Sequence, residues 1–136
     1  MTSTEHSQAP FTASLDDRPV ERDPDSGSVT WRTLISSDRT PSGELIFGVA
    51  EFPPHGDLLP HWHEPAELYF GLGGSGTVTI DGASFAIAKG VAVFIPGKCV
   101  HGVVAGADGL SFAYGFARDD YGSIVYHMVD ATAAAS

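Results

Sequence analysis

Hydrophobic and polar positions alternate with a period of two through the middle of the chain. Leu110, Phe112, Tyr114 and Phe116 fall on one face, with Ser111, Ala113, Gly115 and Ala117 on the other. That is the signature of a strand with one face buried. Glu44 to Phe52 alternates in the same way, setting Leu45, Phe47 and Val49 against Ile46, Gly48 and Ala50. Val29 to Ile35 predicts a first strand and Ile124 to Val129 a last one. Thr77 to Ile80 and Ser84 to Ala88 flank Asp81 and Gly82, a two-residue hairpin turn built from residues that accept positive φ. Val91 to Ile95 is a continuous apolar run that stops at Pro96 and Gly97. No stretch of ten or more residues carries the 3.6-residue period of an amphipathic helix. About nine or ten short strands at regular spacing predict an all-β fold, a sandwich or barrel.

Composition agrees with a single domain. The chain has 136 residues, 43% hydrophobic and 18% charged, enough for one core. Sixteen glycines and nine prolines argue against a helical bundle. Residues 1–28 are polar and carry six acids (Glu5, Asp16, Asp17, Glu21, Asp23 and Asp25), which reads as a flexible or surface-draped acidic arm. The domain then spans residues 29–130, and residues 131–136 read as a frayed tail.

Charge narrows the partners. Seventeen acids against seven bases give a net charge of −10. A nucleic-acid binder needs a basic patch, and an anionic membrane surface needs the same, so neither partner is expected. The apolar runs fall far short of the roughly 20 residues of a spanning helix. The N-terminus lacks a basic segment followed by an apolar one, so a cytoplasmic protein is expected. The single cysteine, Cys99, excludes an internal disulfide.

The chemistry concentrates between Pro54 and Val103, which hold four of the six histidines. His61 and His63 are two apart, so on a strand both rings share a face. Glu67 and Tyr69 are also two apart and share a face if Ala66 to Leu72 is the next strand, with Pro65 as the break between. Neighbouring strands can then aim two imidazoles and a carboxylate at one point, and these are metal ligands near pH 7. His101 adds a third imidazole, placed after a buried strand and the Pro96 turn.

These residues carry a family resemblance. The chain resembles the cupin superfamily: His61, His63, Glu67 and Gly74 stand at the spacing of its first motif, and Gly90, Pro96 and His101 at that of its second. The leading glycine of the first motif, Gly56, stands one position late. The second-motif glycine, Gly97, is one position early, and Ala105 stands where the pattern has asparagine. The resemblance implies a single-domain cupin jelly roll holding a divalent metal through His61, His63, Glu67 and His101, with two open positions. Zinc is the favoured ion, and iron, manganese and nickel suit the same ligands. A homodimer is also implied.

In size, Ala/Gly-rich composition and apolar cavity the chain looks most like aromatic polyketide cyclases of the resistomycin type. The implied activity is metal-dependent Lewis-acid and acid–base chemistry on an apolar, carbonyl-bearing small molecule: an aldol ring closure in antibiotic biosynthesis. Three alternatives use the same site. They are an iron(II)-dependent dioxygenase, a β-elimination lyase of the dimethylsulfoniopropionate lyase type, and a ligand-binding cupin without turnover.

The remaining candidates each carry a bland reading. Tyr69, beside Glu67, is the candidate catalytic acid or base, or else a cavity-wall aromatic. His55 joins the metal only if the chain bends at Gly56 or Pro60. His127 reads more readily as a wall residue, and Cys99 as a small buried hydrophobe. Trp62 points away from the metal, and His6 has no role. Half of Phe47, Tyr69, Phe85, Phe94, Phe112, Tyr114 and Phe116 should face inward. No cation is evident for the cavity, which favours a hydrophobic, aromatic or polyketide-like substrate over a small anion.

Overall fold

The computed structural model describes residues 9–129. Nine strands occur among them: β1 (Glu21–Arg22), β2 (Thr30–Ile35), β3 (Ile46–Phe52), β4 (Asp57–Trp62), β5 (Glu67–Ile80), β6 (Ala83–Ala88), β7 (Ala92–Ile95), β8 (His101–Phe116) and β9 (His127–Met128). The described residues contain no α-helix, only single 3₁₀ turns. None of their elements is a helix long and apolar enough to cross a membrane.

Two long strands organise the fold. β5 and β8 lie antiparallel along most of their length. The C-terminal half of β8 pairs on its other edge with β3, and its N-terminal half pairs there with β4. β5 carries β7 beside its first half and β6 beside its second. The result is an all-β jelly roll, one curled nine-stranded sheet among the described residues, in which β5 and β8 each pair on both edges. Inward positions such as Ile46, Tyr69, Val78, Ile87, Ile95 and Phe112 fill its interior.

The bend in this sheet is made of glycine. The β5–β8 register shifts between Gly71 and Gly73 and again between Gly74 and Gly76. Gly74 and Gly109 both have positive φ (67° and 77°), and a Cβ on Gly74 would overlap the carbonyl of Gly109. The glycine run is therefore a bend inside one strand. This is why the two segments 66–72 and 77–80, separate in the periodicity, form a single β5.

The N-terminal segment meets this body earlier than residue 29. β1 pairs with β2 through Glu21 opposite Trp31, and Ser26 is buried. Asp23 caps the turn at Pro24–Ser26 by accepting from Asp25 N at 3.1 Å. At the other end the last strand is shorter than the 124–129 alternation implies: a 3₁₀ turn at Tyr121–Ser123 precedes only His127–Met128. The arm before residue 9 and the tail from 131 lie outside the described residues.

Outward positions on β3, β5 and β7 are apolar. Phe47, Leu68, Phe70 and Phe94 are all exposed, and the strand registers place Phe47, Gly115, Leu68 and Phe94 in one row.

Candidate metal centre

Strand register assembles the floor of the site. His61 on β4 is the direct partner of His101 at the start of β8, and their ring centroids are 4.3 Å apart. His63 follows β4 immediately, its ring 5.6 Å from His61 and 4.9 Å from His101. All three are buried, and a nitrogen from each lies within 4.8 Å of the others. Glu67 opens β5, with Oε1 3.1 Å from His63 Nε2 and 3.4 Å from His101 Nε2.

Two loops lock this arrangement. Lys98 N donates to the His63 carbonyl at 2.8 Å. A Cβ at Gly97 would overlap the carbonyl of Glu64. Glycine there lets the turn before His101 seat on the loop after His63.

Each imidazole is oriented by a backbone carbonyl. Nδ1 of His61 donates to Leu59 O at 2.8 Å, that of His63 to Pro65 O at 2.9 Å, and that of His101 to Cys99 O at 2.9 Å. A carbonyl only accepts, so Nδ1 carries the hydrogen and the Nε2 lone pair is turned inward. His61 Nε2 and His101 Nε2 are buried with no hydrogen-bond partner. Burial, and then the neighbouring His101, push the His61 imidazole down to about 4, so it is neutral at pH 7. Burial opposes ionisation of Glu67, but His101 and His63 beside it outweigh that and hold its carboxyl below the ordinary value.

Orphaned buried lone pairs carry the full cost of desolvation. A cation at their meeting point removes that cost. Three imidazoles and one carboxylate form the donor set of a first-row divalent metal. The residues present therefore fit such an ion.

A cavity of about 500 Å³ opens above the floor and reaches Glu67, Tyr69, Phe112 and Tyr114. Its mouth is built from other parts of the chain. Tyr126 stacks on His61 (4.8 Å, 16°), and Tyr121 Oη donates to Tyr126 Oη at 3.3 Å. Arg39 lines the cavity with Nη2 2.6 Å from Glu21 Oε1, and its Nη1 is 2.9 Å from Asp38.

The other candidates separate clearly. Tyr69 lines the cavity, stacked on Phe112 at 4.1 Å and with its ring 6.3 Å from that of His101. Burial, and then Glu67, push its phenol well above the ordinary value. His55 sits in an exposed turn at φ 58°, outside the histidine cluster. His127 is exposed and stacks on Trp62 at 3.9 Å. Cys99 supplies its carbonyl to His101, while a hydrogen bond to Asp81 and then burial push its thiol up. His6 lies outside the described residues. Of the seven aromatics, Tyr69, Phe112, Tyr114 and Phe116 are buried, whereas Phe47, Phe85 and Phe94 are exposed.

One expectation is corrected. The cavity does contain a cation, Arg39, which comes from the β2–β3 connection rather than a central strand. It is neutralised by Glu21 and Asp38. Periodicity missed Glu21, Arg39, Tyr121 and Tyr126 because they lie in turns, loops and a two-residue strand. The one available hint was Tyr121 and Tyr126 flanking the last apolar run.

Known proteins agree with this geometry. A family model described as Cupin domain matches residues 48–112. The dimethylsulfoniopropionate lyase DddW of Ruegeria pomeroyi is 51% identical over 106 residues, covering 78% of this chain and 70% of that protein. Among solved structures, the polyketide cyclase RemF from Streptomyces resistomycificus superposes with a TM-score of 0.74 at 23% identity, covering 90% of this chain and 87% of that one. A cupin-2 domain protein of Rhodospirillum rubrum gives a TM-score of 0.74 at 21% identity, covering 94% and 84%. The fold, the clustered histidines and the identity to DddW converge on one assignment: the chain belongs to the cupin family.

Proposed function

We propose that the protein is a metal-dependent lyase acting on dimethylsulfoniopropionate or a close analogue by β-elimination. The identity to DddW carries this reading. Any run of 106 residues in a chain of 136 includes positions 31–106, so the matched stretch spans His61, His63, Glu67, Tyr69 and His101. The likeness to RemF, at 23% identity, supports the fold without reaching ring closure.

The residues suit the reaction. His61, His63, Glu67 and His101 would hold the divalent ion. Bound there, it would supply positive charge that offsets Glu67 and makes the proton next to a carboxylate easier to remove. Tyr69 Oη, its own phenol proton first released to solvent under the positive charge a bound ion would bring, takes the proton from the carbon next to the carboxylate. That C–H electron pair becomes the carbon–carbon double bond, and the C–S bond breaks with its electrons leaving on sulfur. The products are acrylate and dimethyl sulfide, and the proton rests on Tyr69. Phe112, stacked on Tyr69, keeps the phenol in place and water away.

The test is direct. Untagged protein, its metal counted by plasma mass spectrometry, is given dimethylsulfoniopropionate, and dimethyl sulfide is read by gas chromatography. The expected result is about one ion per chain, zinc or iron first, with sulfide and acrylate formed without oxygen consumption. Tyr69→Phe should retain the metal and lose about 10²–10⁴-fold in kcat. Sulfide release at the wild-type rate by Tyr69→Phe would remove Tyr69 from the mechanism. Oxygen uptake would point to a dioxygenase, ring closure of a polyketide without sulfide to a cyclase, and binding without turnover to a ligand-binding cupin. A homodimer would cover the apolar row through Phe47, Leu68 and Phe94, and light scattering reads it.

A further inference from the structure

A part-buried hydrogen-bond chain runs from the mouth to the cavity wall. Glu21 Oε2 lies 2.8 Å from Thr33 Oγ1, which lies 3.2 Å from Tyr114 Oη. The carboxylate of Glu21, ion-paired to Arg39 at 2.6 Å, accepts. Thr33 has one hydroxyl proton, and it goes to Glu21. The Tyr114 hydroxyl must then donate to Thr33. Tyr114 lines the cavity, so a ligand that reaches its oxygen meets lone pairs and no proton to give.

The fold enforces this direction. Thr33, Gly48, Tyr114 and Tyr69 are successive register partners across β2, β3, β8 and β5. Gly48 has no side chain, and a Cβ there would overlap the Tyr114 hydroxyl and lie 2.6 Å from Arg32 O. The phenol therefore reaches over Gly48 to Thr33. Burial pushes the Tyr114 phenol far above its ordinary value even against the Thr33 hydrogen bond, so it stays neutral.

We infer that Glu21 and Thr33 are specificity-determining residues, which make Tyr114 an acceptor-only group and so select a substrate whose end away from the metal floor is an onium cation. Two more acids line the cavity beside Glu21, Asp23 and Asp25, and Arg39, with its guanidinium 5.5 Å from the Tyr121 ring centroid, is committed to Glu21 and Asp38. The chemical class is a small zwitterion: carboxylate at the floor, sulfonium or quaternary ammonium at the mouth. This deepens the lyase reading, from which it takes the carboxylate at the metal.

A pair of probes of one shape tests it. 3-(Trimethylammonio)propanoate and 4,4-dimethylpentanoate differ by a positively charged nitrogen in place of a carbon. Calorimetry on the metal-bearing protein should find the ammonium probe bound about tenfold tighter. Thr33→Val keeps the shape, frees the Tyr114 proton and should bring the ratio close to one, while Thr33→Ser should restore it. Tyr114→Phe, which removes the accepting oxygen, should also lose the preference and serves if Thr33→Val does not fold. Equal binding of the two probes by the wild type overturns the inference, as does a wild-type ratio in a folded Thr33→Val. Protein that prefers the cation but releases no dimethyl sulfide overturns the lyase reading alone. Protein that releases the sulfide without a charge preference overturns this inference alone.

Discussion

The floor and the mouth of the cavity are built on different principles. The floor draws His61, His63, Glu67 and His101 from β4, β5, β8 and the loop after β4, and all four are buried. Its orientation comes from the backbone, since every imidazole leans on a carbonyl two residues away in the chain. The mouth draws Glu21 from the two-residue β1, and Arg39 and Tyr121 from turns. Its ties are long-range side-chain bonds: Arg39 to Glu21, Tyr121 N to Ser36 Oγ, and Gly122 N to Asp38. A floor set by strand register can hold one chemistry while the mouth varies, so selection falls to the mouth.

The sharpest way to break the comparison is at the floor. His101→Ala removes a buried ligand beneath an intact mouth. Metal affinity should fall by more than the about 10–100-fold that losing a mere supporting partner costs. Metal titration reads this, and unchanged affinity would place the ion elsewhere.

Acid tests the floor next. In metal-free protein the folded value of His61 is about 4 against 6.5 unfolded. Above pH 6.5 neither state is protonated at His61. As pH falls from there toward 4, the unfolded chain gains a proton the folded one refuses, and stability drops by on the order of 3 kcal/mol. Glu67 acts in the same direction: its folded value is lowered, so its contribution is present above the unfolded value and is lost as pH falls through the folded one. Urea unfolding at pH 7 and pH 4.5 measures the slope, and His61→Gln should flatten most of it.

Gly48→Ala sharpens the mouth side and has the smallest effect. Its Cβ displaces Tyr114 from Thr33, for an expected cost of about 1–3 kcal/mol in unfolding free energy. Metal content should stay at the wild-type level. Loss of metal in this variant would mean that floor and mouth are not separable.

The strands around the floor were legible because each ligand pair obeys the period of two that the sheet itself imposes. His61 with His63 and Glu67 with Tyr69 are readable as pairs before any fold is known. The hairpin at Asp81 and Gly82 was legible for a similar reason, its turn residues being local signals, and Asp81 indeed adopts positive φ. The glycine corner in β5 misled, because a bend within a strand and a break between two strands have the same local composition.

The all-β class, the single domain, and the histidines and carboxylate of the floor can all be read from the chain alone. All of these follow from local alternation, turn chemistry and composition. Only the tertiary structure decided that Glu21 from the supposed arm, Arg39 from a loop and Tyr126 from the last segment share one cavity. Glu21 and Thr33 are 12 residues apart, Thr33 and Tyr114 81 apart, and no periodic pattern links such positions. Their meeting depends on the pairing of distant strands in one curled sheet and on one glycine leaving room for a hydroxyl.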